Sequence, residues 1–298
     1  MQTFVPINFT RHPHPAQWWT RTLRRLAAWS AITVLFYSAA VAQRELPFQN
    51  GETLNYDIHY TYGIAMIKAG YAYFKLDDTV LRDNKPTVRS HLDFKTTSFF
   101  DKLFKIRDTL RAFADAKSLL PMYHERSVNE GGTRFFEQLY FKYPDAQTTQ
   151  LRMRRMSGER LRFDTVKVID GLGYDMLNIF LFVRTLDFDN LQMETPMPLT
   201  AFVGRDQVKI RLRYKGQAVI EKNDTLKYKT LKFEVDIVDE VFSGEKNAME
   251  IWISDDKNRI PLKLKAKLKI GAAEATLSST GNLKHPFSSE IRLKRKNE

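Results

Sequence analysis

The sequence predicts an all-β chain, mainly antiparallel, folded as a curved meander sheet of half-barrel or sandwich-like form with one buried helix at about 175–186. Three observations predict it. From Met249 to Ile270 the chain reads as two strands on a polar turn: Met249, Ile251 and Ile253 alternate with Glu250, Trp252 and Ser254. After the turn, Leu262, Leu264, Ala266, Leu268 and Ile270 alternate with Lys263, Lys265, Lys267 and Lys269. A period of two is what a half-buried strand requires and a helix does not show. Second, similar short runs fill most of the chain, separated by Gly, Asn, Asp and Pro, with no helix between them, which argues for meander connections. Third, one stretch breaks the pattern: Asp175 to Leu186 is apolar all round behind an aspartate suited to cap a helix.

The elements follow in order. Leu54, Tyr56, Ile58, Tyr60 and Tyr62 form the inward phase of a first strand, and Tyr71 to Leu81 a second, closed by the polar cluster Arg82 to Pro86. Val88 to Thr96 and Phe104 to Ala114 are joined by a bend at Ser98 to Asp101. Tyr123 to Val128 and Arg134 to Tyr143 pair across Asn129-Glu130-Gly131-Gly132, which supplies the positive-φ residues of a tight turn. Gln150 to Met156 and Arg160 to Val168 repeat the arrangement across Ser157-Gly158. After the helix, Pro196-Met197-Pro198 returns the chain to strands at Val208 to Tyr214, Thr225 to Val238, the hairpin described first, and Ala272 to Leu283. The end, Ile291 to Lys296, reads as a frayed basic tail.

Residues 1–42 read as a signal peptide, with 43–298 as a single β-rich domain. Arg21, Arg24 and Arg25 precede an apolar run from Leu26 to Val41 that ends in Ala40-Val41-Ala42 before Gln43, the layout of a charged, apolar and cleavable leader. The competing reading is a membrane anchor, since the run falls only slightly short of the ~17 apolar residues a span needs. No charged stop-transfer cluster abuts it, so no stable span is expected after cleavage. Location is then exported, periplasmic or extracellular. Excluding the leader removes four arginines and no acid, leaving 43 basic and 35 acidic residues, a net of +8. The absence of cysteine excludes disulfides, thiolate metal sites, a cysteine nucleophile and a lipid-modified N-terminal cysteine.

The chain resembles a bacterial exported family, domain of unknown function 3108. The resemblance rests on Gly51-Glu52-x-Leu54-x-Tyr56, on Ala69-Gly70, on Asp175-x-Leu177 with Arg184, and most on Trp252 to Asp256 and Arg259-Ile260-Pro261-Leu262 through to Gly271. It implies an exported β-rich envelope protein and supplies no activity or catalytic residues to carry over.

No residue pattern announces catalysis. Asp255 and Asp256 suit a hairpin turn better than paired acid–base work, because neighbours in such a turn splay apart. His59, His91, His124 and His285 lack ligand spacing, and surface positions suit them better. No P-loop, G-x-G-x-x-G or G-x-S-x-G pattern occurs, so no cofactor or metal is expected and a hydrolase is a remote alternative. Two sets of residues invite binding. Tyr56, Tyr60, Tyr71, Tyr73 and the helix's Phe180 would line a cavity for a lipid or other amphiphile, unless they are ordinary packed core. Lys209, Arg211 and Arg213 on one strand and Lys263, Lys265, Lys267 and Lys269 on another would dock an envelope protein or anionic glycan, unless acids such as Glu234 and Asp236 come between them. Export argues against nucleic acid as partner. The leading expectation is a non-catalytic module binding an amphiphile; the alternative is a docking protein using its basic faces.

Overall fold

The computed structural model describes residues 45–238 and 248–293. The expected signal peptide at 1–42 and residues 294–296 of the expected tail lie outside the described residues, whereas Ile291 and Arg292, expected to fray, are in a strand paired with Lys227 and Leu226. Leu46–Glu298 forms a compact unit with its own core.

The described strands all join one sheet. Its first half is a meander: β1 (Thr53–Tyr62), β2 (Ala65–Leu76), β3 (Val80–Arg82), β4 (Lys85–Thr96), β5 (Arg107–Asp115), β6 (Pro121–Glu130), β7 (Thr133–Asp145), β8 (Thr148–Ser157) and β9 (Arg160–Asp170). Each pairs antiparallel with its neighbour, except that β2 passes β3 and pairs with β4 directly. The second half holds β10 (Gly173–Asp175), β11 (Pro196–Val203), β12 (Asp206–Asn223), β13 (Leu226–Val238), β14 (Met249–Ser254), β15 (Pro261–Lys267), β16 (Ala272–Gly281) and β17 (Glu290–Arg292). The β1–β16 ladder, antiparallel over nine residue pairs, joins the halves. Only β10–β11 is parallel among the described ladders. Phe202 on β11 packs into Leu139, Phe141, Leu151 and Met153 on β7 and β8, so the ends of the sheet turn toward each other in a nearly closed, barrel-like form.

Among the described residues, two short helices interrupt the strands. The bend at Ser98 is a one-turn helix, α1 (Ser98–Asp101), and the expected buried helix is α2 (Met176–Arg184). Asp175 caps α2: its Oδ1 accepts from the backbone N–H of Leu177 and of Asn178, each at 3.0 Å. That satisfies two of the free donors of the first turn. The helix fills the inside of the curve, as its all-round apolar surface requires. Leu181 and Phe180 meet Leu54, Phe74 and Leu76 from β1 and β2. Leu177 meets Leu110 and Ala112 on β5, and Val183 meets Leu212, Phe233 and Ile253 from β12 to β14.

A buried polar knot fixes the far end of α2. Arg184 and Glu52 are both fully buried, with Nη1 2.5 Å from Oε1 and Nη2 3.0 Å from Oε2. Arg184 also donates to the carbonyl of Asn258 from Nη2 at 2.9 Å. Asn258 bonds in turn to the carbonyl of His285 through Nδ2 and accepts from its N–H. Asp256 accepts from the Ser254 hydroxyl and from the N–H groups of Asn258 and Ser288. Matching of these donors to acceptors is what makes so polar a cluster tolerable inside a protein.

Several boundaries differ from expectation. β2 starts at Ala65 rather than Tyr71, and its expected end, Leu81, belongs to β3. Pro196 and Pro198 stand inside β11 rather than in a return loop. They are tolerated because β10 pairs only with Thr200–Phe202, leaving the proline end of β11 without a neighbour on one side. β15 stops at Lys267, so Lys269, Leu268 and Ile270 leave the expected ladder for the turn into β16. Gly271 makes that turn possible: its φ is +72°, and a Cβ there would collide with the Thr61 carbonyl.

Candidate functional site

Side chains directly opposite one another in a ladder share a face of the sheet. On the outer face, Asn55 and Asp57 of β1 stand beside Tyr73 and Tyr71 of β2. Those tyrosines stand beside Asp93 and Lys95 of β4, which stand beside Thr109 and Arg107 of β5. On the other side Asn55 meets Ser279 of β16, its Nδ2 donating to the serine hydroxyl at 3.1 Å. Together these residues line an open groove of about 830 Å³. Tyr71 and Tyr73 are 41% and 36% exposed within it.

The groove's charged groups are mostly paired already. Lys68 Nζ lies 2.8 Å from Asp57 Oδ1 and 4.3 Å from the centre of the Tyr71 ring. The hydrogen bond to Asp57 raises the Lys68 pKa above the ordinary lysine value. Arg107 pairs with Asp101 at 2.6 Å, and that contact, with the Thr96 hydroxyl, holds the Asp101 carboxyl below the usual range. Asp93 accepts from Thr109 Oγ1 at 2.7 Å and lies 3.0 Å from His91 Nε2. Burial pushes the Asp93 pKa up, but the Thr109 hydroxyl and His91 outweigh it, so the carboxyl titrates below its ordinary value. Lys95 is exposed, 5.9 Å from the Tyr71 ring.

A pH dependence follows. A carboxyl depressed by folding stabilises the fold at pH above its unfolded value, about 3.9, and that stabilisation is lost as pH falls through the folded value. Thr109→Val removes the principal bond holding Asp93 down. The Asp93 carboxyl should then titrate at higher pH, as followed by carboxyl ¹³C shifts; an unchanged titration would contradict the assignment of cause.

The expected site residues fall in different places. Tyr71 and Tyr73 line the groove, whereas Tyr56 points through the sheet into the core, where its hydroxyl donates to the Pro261 carbonyl at 2.8 Å. Burial drives its pKa far above the tyrosine norm. The register explains the split, since Tyr56 faces Ala72, whose neighbours Tyr71 and Tyr73 take the opposite face. Phe180 packs on Phe74 with ring centres 4.8 Å apart. Tyr60 donates to the Ile270 carbonyl at 3.1 Å. The five aromatics therefore do not surround one cavity.

The basic strands are interleaved with acids. β13 and β14 lie between β12 and β15, and Arg213 meets Glu234 and Asp236 at 3.4 and 3.0 Å. Lys263 meets Glu274 at 2.8 Å, and Lys265 stands between Glu250 and Glu274 in the register. Lys209 and Arg211 remain exposed, as do Lys267 and Lys269. Of the histidines, His124 departs from the expected surface position. It is buried at the α2 cap, with Nδ1 3.4 Å from Asp175 Oδ1. Among the described residues no group of three or more His, Cys, Asp or Glu side chains is placed to hold a metal ion, and no helix is long and apolar enough to cross a membrane.

Sequence reasoning missed Asn55, Asp57, Asp93, Thr109 and Ser279. Each shows only as a polar residue on the outward phase of its strand. Asn55, Asp57, Asp93 and Thr109 converge through the registers of β1, β2, β4 and β5, and Ser279 joins them through β1 pairing with β16, more than 200 positions away; no local pattern encodes either.

The fold defines a barrel-like β protein with an open groove on its outer face. The chain belongs to the family described as protein of unknown function DUF3108, whose model matches residues 55–278. It is similar in fold to a crystal structure of a β-barrel-like protein of domain of unknown function DUF1849 from Brucella abortus. The TM-score is 0.53 at 10% identity, covering 80% of this chain and 100% of that one. A Bacteroides fragilis protein with a YmcC-like fold overlaps 80% of this chain and 98% of its own at 10% identity, with a TM-score of 0.33, too low to carry an argument. No curated protein matches.

Proposed function

We propose that this is an exported, non-catalytic binding module whose outer groove holds an oligosaccharide segment. The observation that carries the reading is the pair of half-exposed rings, Tyr71 and Tyr73, set among Asn55, Asp93, Thr109 and Ser279 in one open groove. The C–H faces of a sugar ring are apolar and stack on aromatic faces, while its hydroxyls need alternating donors and acceptors. Amide, carboxylate and hydroxyl side chains supply both. Lys95 is the cation available to an acidic substituent. The bonds that hold Asp93 below its ordinary range favour holding over transforming, since a carboxyl kept ionised by its partners is a poor general acid. Export is supported by the leader pattern of Arg21 to Ala42.

An interior amphiphile site is less well supported, because Tyr56, Phe74, Phe180 and Leu181 already occupy the space it would need. Calorimetric titration with soluble oligosaccharides of N-acetylated aminosugars, with and without a carboxylate substituent, tests the reading. Saturable binding is expected, weakened about tenfold by Tyr71→Ala and again by Tyr73→Ala through lost stacking and buried area. Equal binding by the double variant, or no saturable binding at all, would contradict it.

A further inference from the structure

We infer that one rim of the barrel, carrying Ile64, Met66, Leu103, Phe104, Leu268 and Ile270, docks on the surface of an anionic lipid bilayer. The β1–β2 hairpin projects beyond the body of the sheet: every residue from Tyr62 to Ile67 is exposed, on both faces. This stretch, Tyr-Gly-Ile-Ala-Met-Ile, contains no charge, and Ile64 at its tip is 107% exposed. The turn from β15 to β16 lies alongside, tied by the Tyr60 hydroxyl to the Ile270 carbonyl and by the Thr61–Ala272 pairing. It exposes Lys267-Leu268-Lys269-Ile270 without a break, Ile270 at 66%. The connection after α1 lies on the other side, where the Thr97 N–H donates to the Ala69 carbonyl at 2.9 Å. It exposes Lys102-Leu103-Phe104-Lys105, with Leu103 at 71%.

Three neighbouring tips thus present large apolar side chains, two of them interleaved with lysines. The three exposed stretches contain no acid, and the nearby acids Asp101 and Glu130 are bridged by Arg107 and Arg126. Scattered apolar side chains on projecting loops do not make the flat, complementary patch of a protein interface. They suit a bilayer's headgroup boundary, which takes apolar side chains to a depth of about 5–10 Å while the lysines meet anionic headgroups. The hairpin's backbone is paired from Thr61–Met66 to Tyr62–Ala65, so its ladder bonds need no water when it enters that layer. None of the side chains that would meet the bilayer lies in the groove, so this inference stands or falls separately from it.

Vesicle sedimentation tests it, using residues 43–298, which retain the whole compact unit while omitting the apolar leader that would bind lipid on its own. The protein should pellet with vesicles of phosphatidylcholine mixed with phosphatidylglycerol and much less with phosphatidylcholine alone. Ile64→Asp combined with Leu103→Asp should lower partitioning by about tenfold or more, with circular dichroism and thermal unfolding unchanged because both side chains are exposed. Lys267→Gln and Lys269→Gln should each lower it about fivefold, only on the anionic vesicles. Two outcomes would overturn the inference. One is absence of binding to anionic vesicles, or binding that the rim variants leave intact. The other is a self-associated species in light scattering that Ile64→Asp disperses while vesicles take up no protein, which would make the rim an interface between copies of the chain.

Discussion

Arg184→Ala should destabilise the fold by about 3–5 kcal/mol, because it leaves the Glu52 carboxylate fully buried without its cation. For a domain of this size that corresponds to a fall in Tm of roughly 6–20 °C. The size of the effect comes from the orphaned partner rather than from the attraction lost. Glu52→Leu with Arg184→Met should therefore recover much of the loss, since replacing both members of a buried pair by apolar groups is often close to neutral. Urea unfolding of the two single variants and the double variant measures this. Additive losses in the double variant, or an Arg184→Ala cost below about 1 kcal/mol, would show that the pair does not anchor α2 to the residue before β1.

Phe74→Ala should cost about 3–5 kcal/mol, the range for removing a buried ring from a packed core. Phe74 is buried between β2 and α2, directly on Phe180. Part of the cost is the void left behind, and an apolar void of this kind stays dry and takes up a small apolar guest. The variant should therefore bind benzene, and be stabilised by it, where the parent protein is not. Phe180→Ala should cost less, because its ring is only partly buried. A coupling of about 0.5–1.5 kcal/mol between the two positions would measure the ring contact itself. A parent protein that takes up benzene as readily as Phe74→Ala would mean the inside of the sheet is not filled.

Much of the architecture was legible because its causes are local. The alternation that carries Leu54, Tyr56 and Ile58, the Gly131-Gly132 turn, and the polar turn at Asp255 to Asn258 each follow from a neighbour or two along the chain. The same holds for α2, whose cap and apolar surround are written within twelve residues. The site was less legible because its causes are long-range. Tyr56, Tyr71 and Tyr73 look alike in sequence, and only the Tyr56–Ala72 register sends the first inward and the other two outward. Which of the two readings of the lysine face holds is also decided at long range. Its strand ends at Lys267, and Glu274 and Glu250 on the flanking strands accompany the lysines that remain. Glu52 and Arg184 stood in the family-like motifs, yet nothing local foretold that they would meet across 132 positions.

The proposed function puts the ligand on the outside of the sheet, whose interior is filled by packed side chains. Chemical-shift mapping during titration with a carboxylated aminosugar oligosaccharide examines that division directly. Shifts centred on Asn55, Tyr71, Tyr73, Lys95 and Thr109, with Leu181 and Phe233 unmoved, are expected. Shifts centred on Tyr56, Phe180 and Leu181, whether from the sugar or from a lipid added in its place, would contradict it.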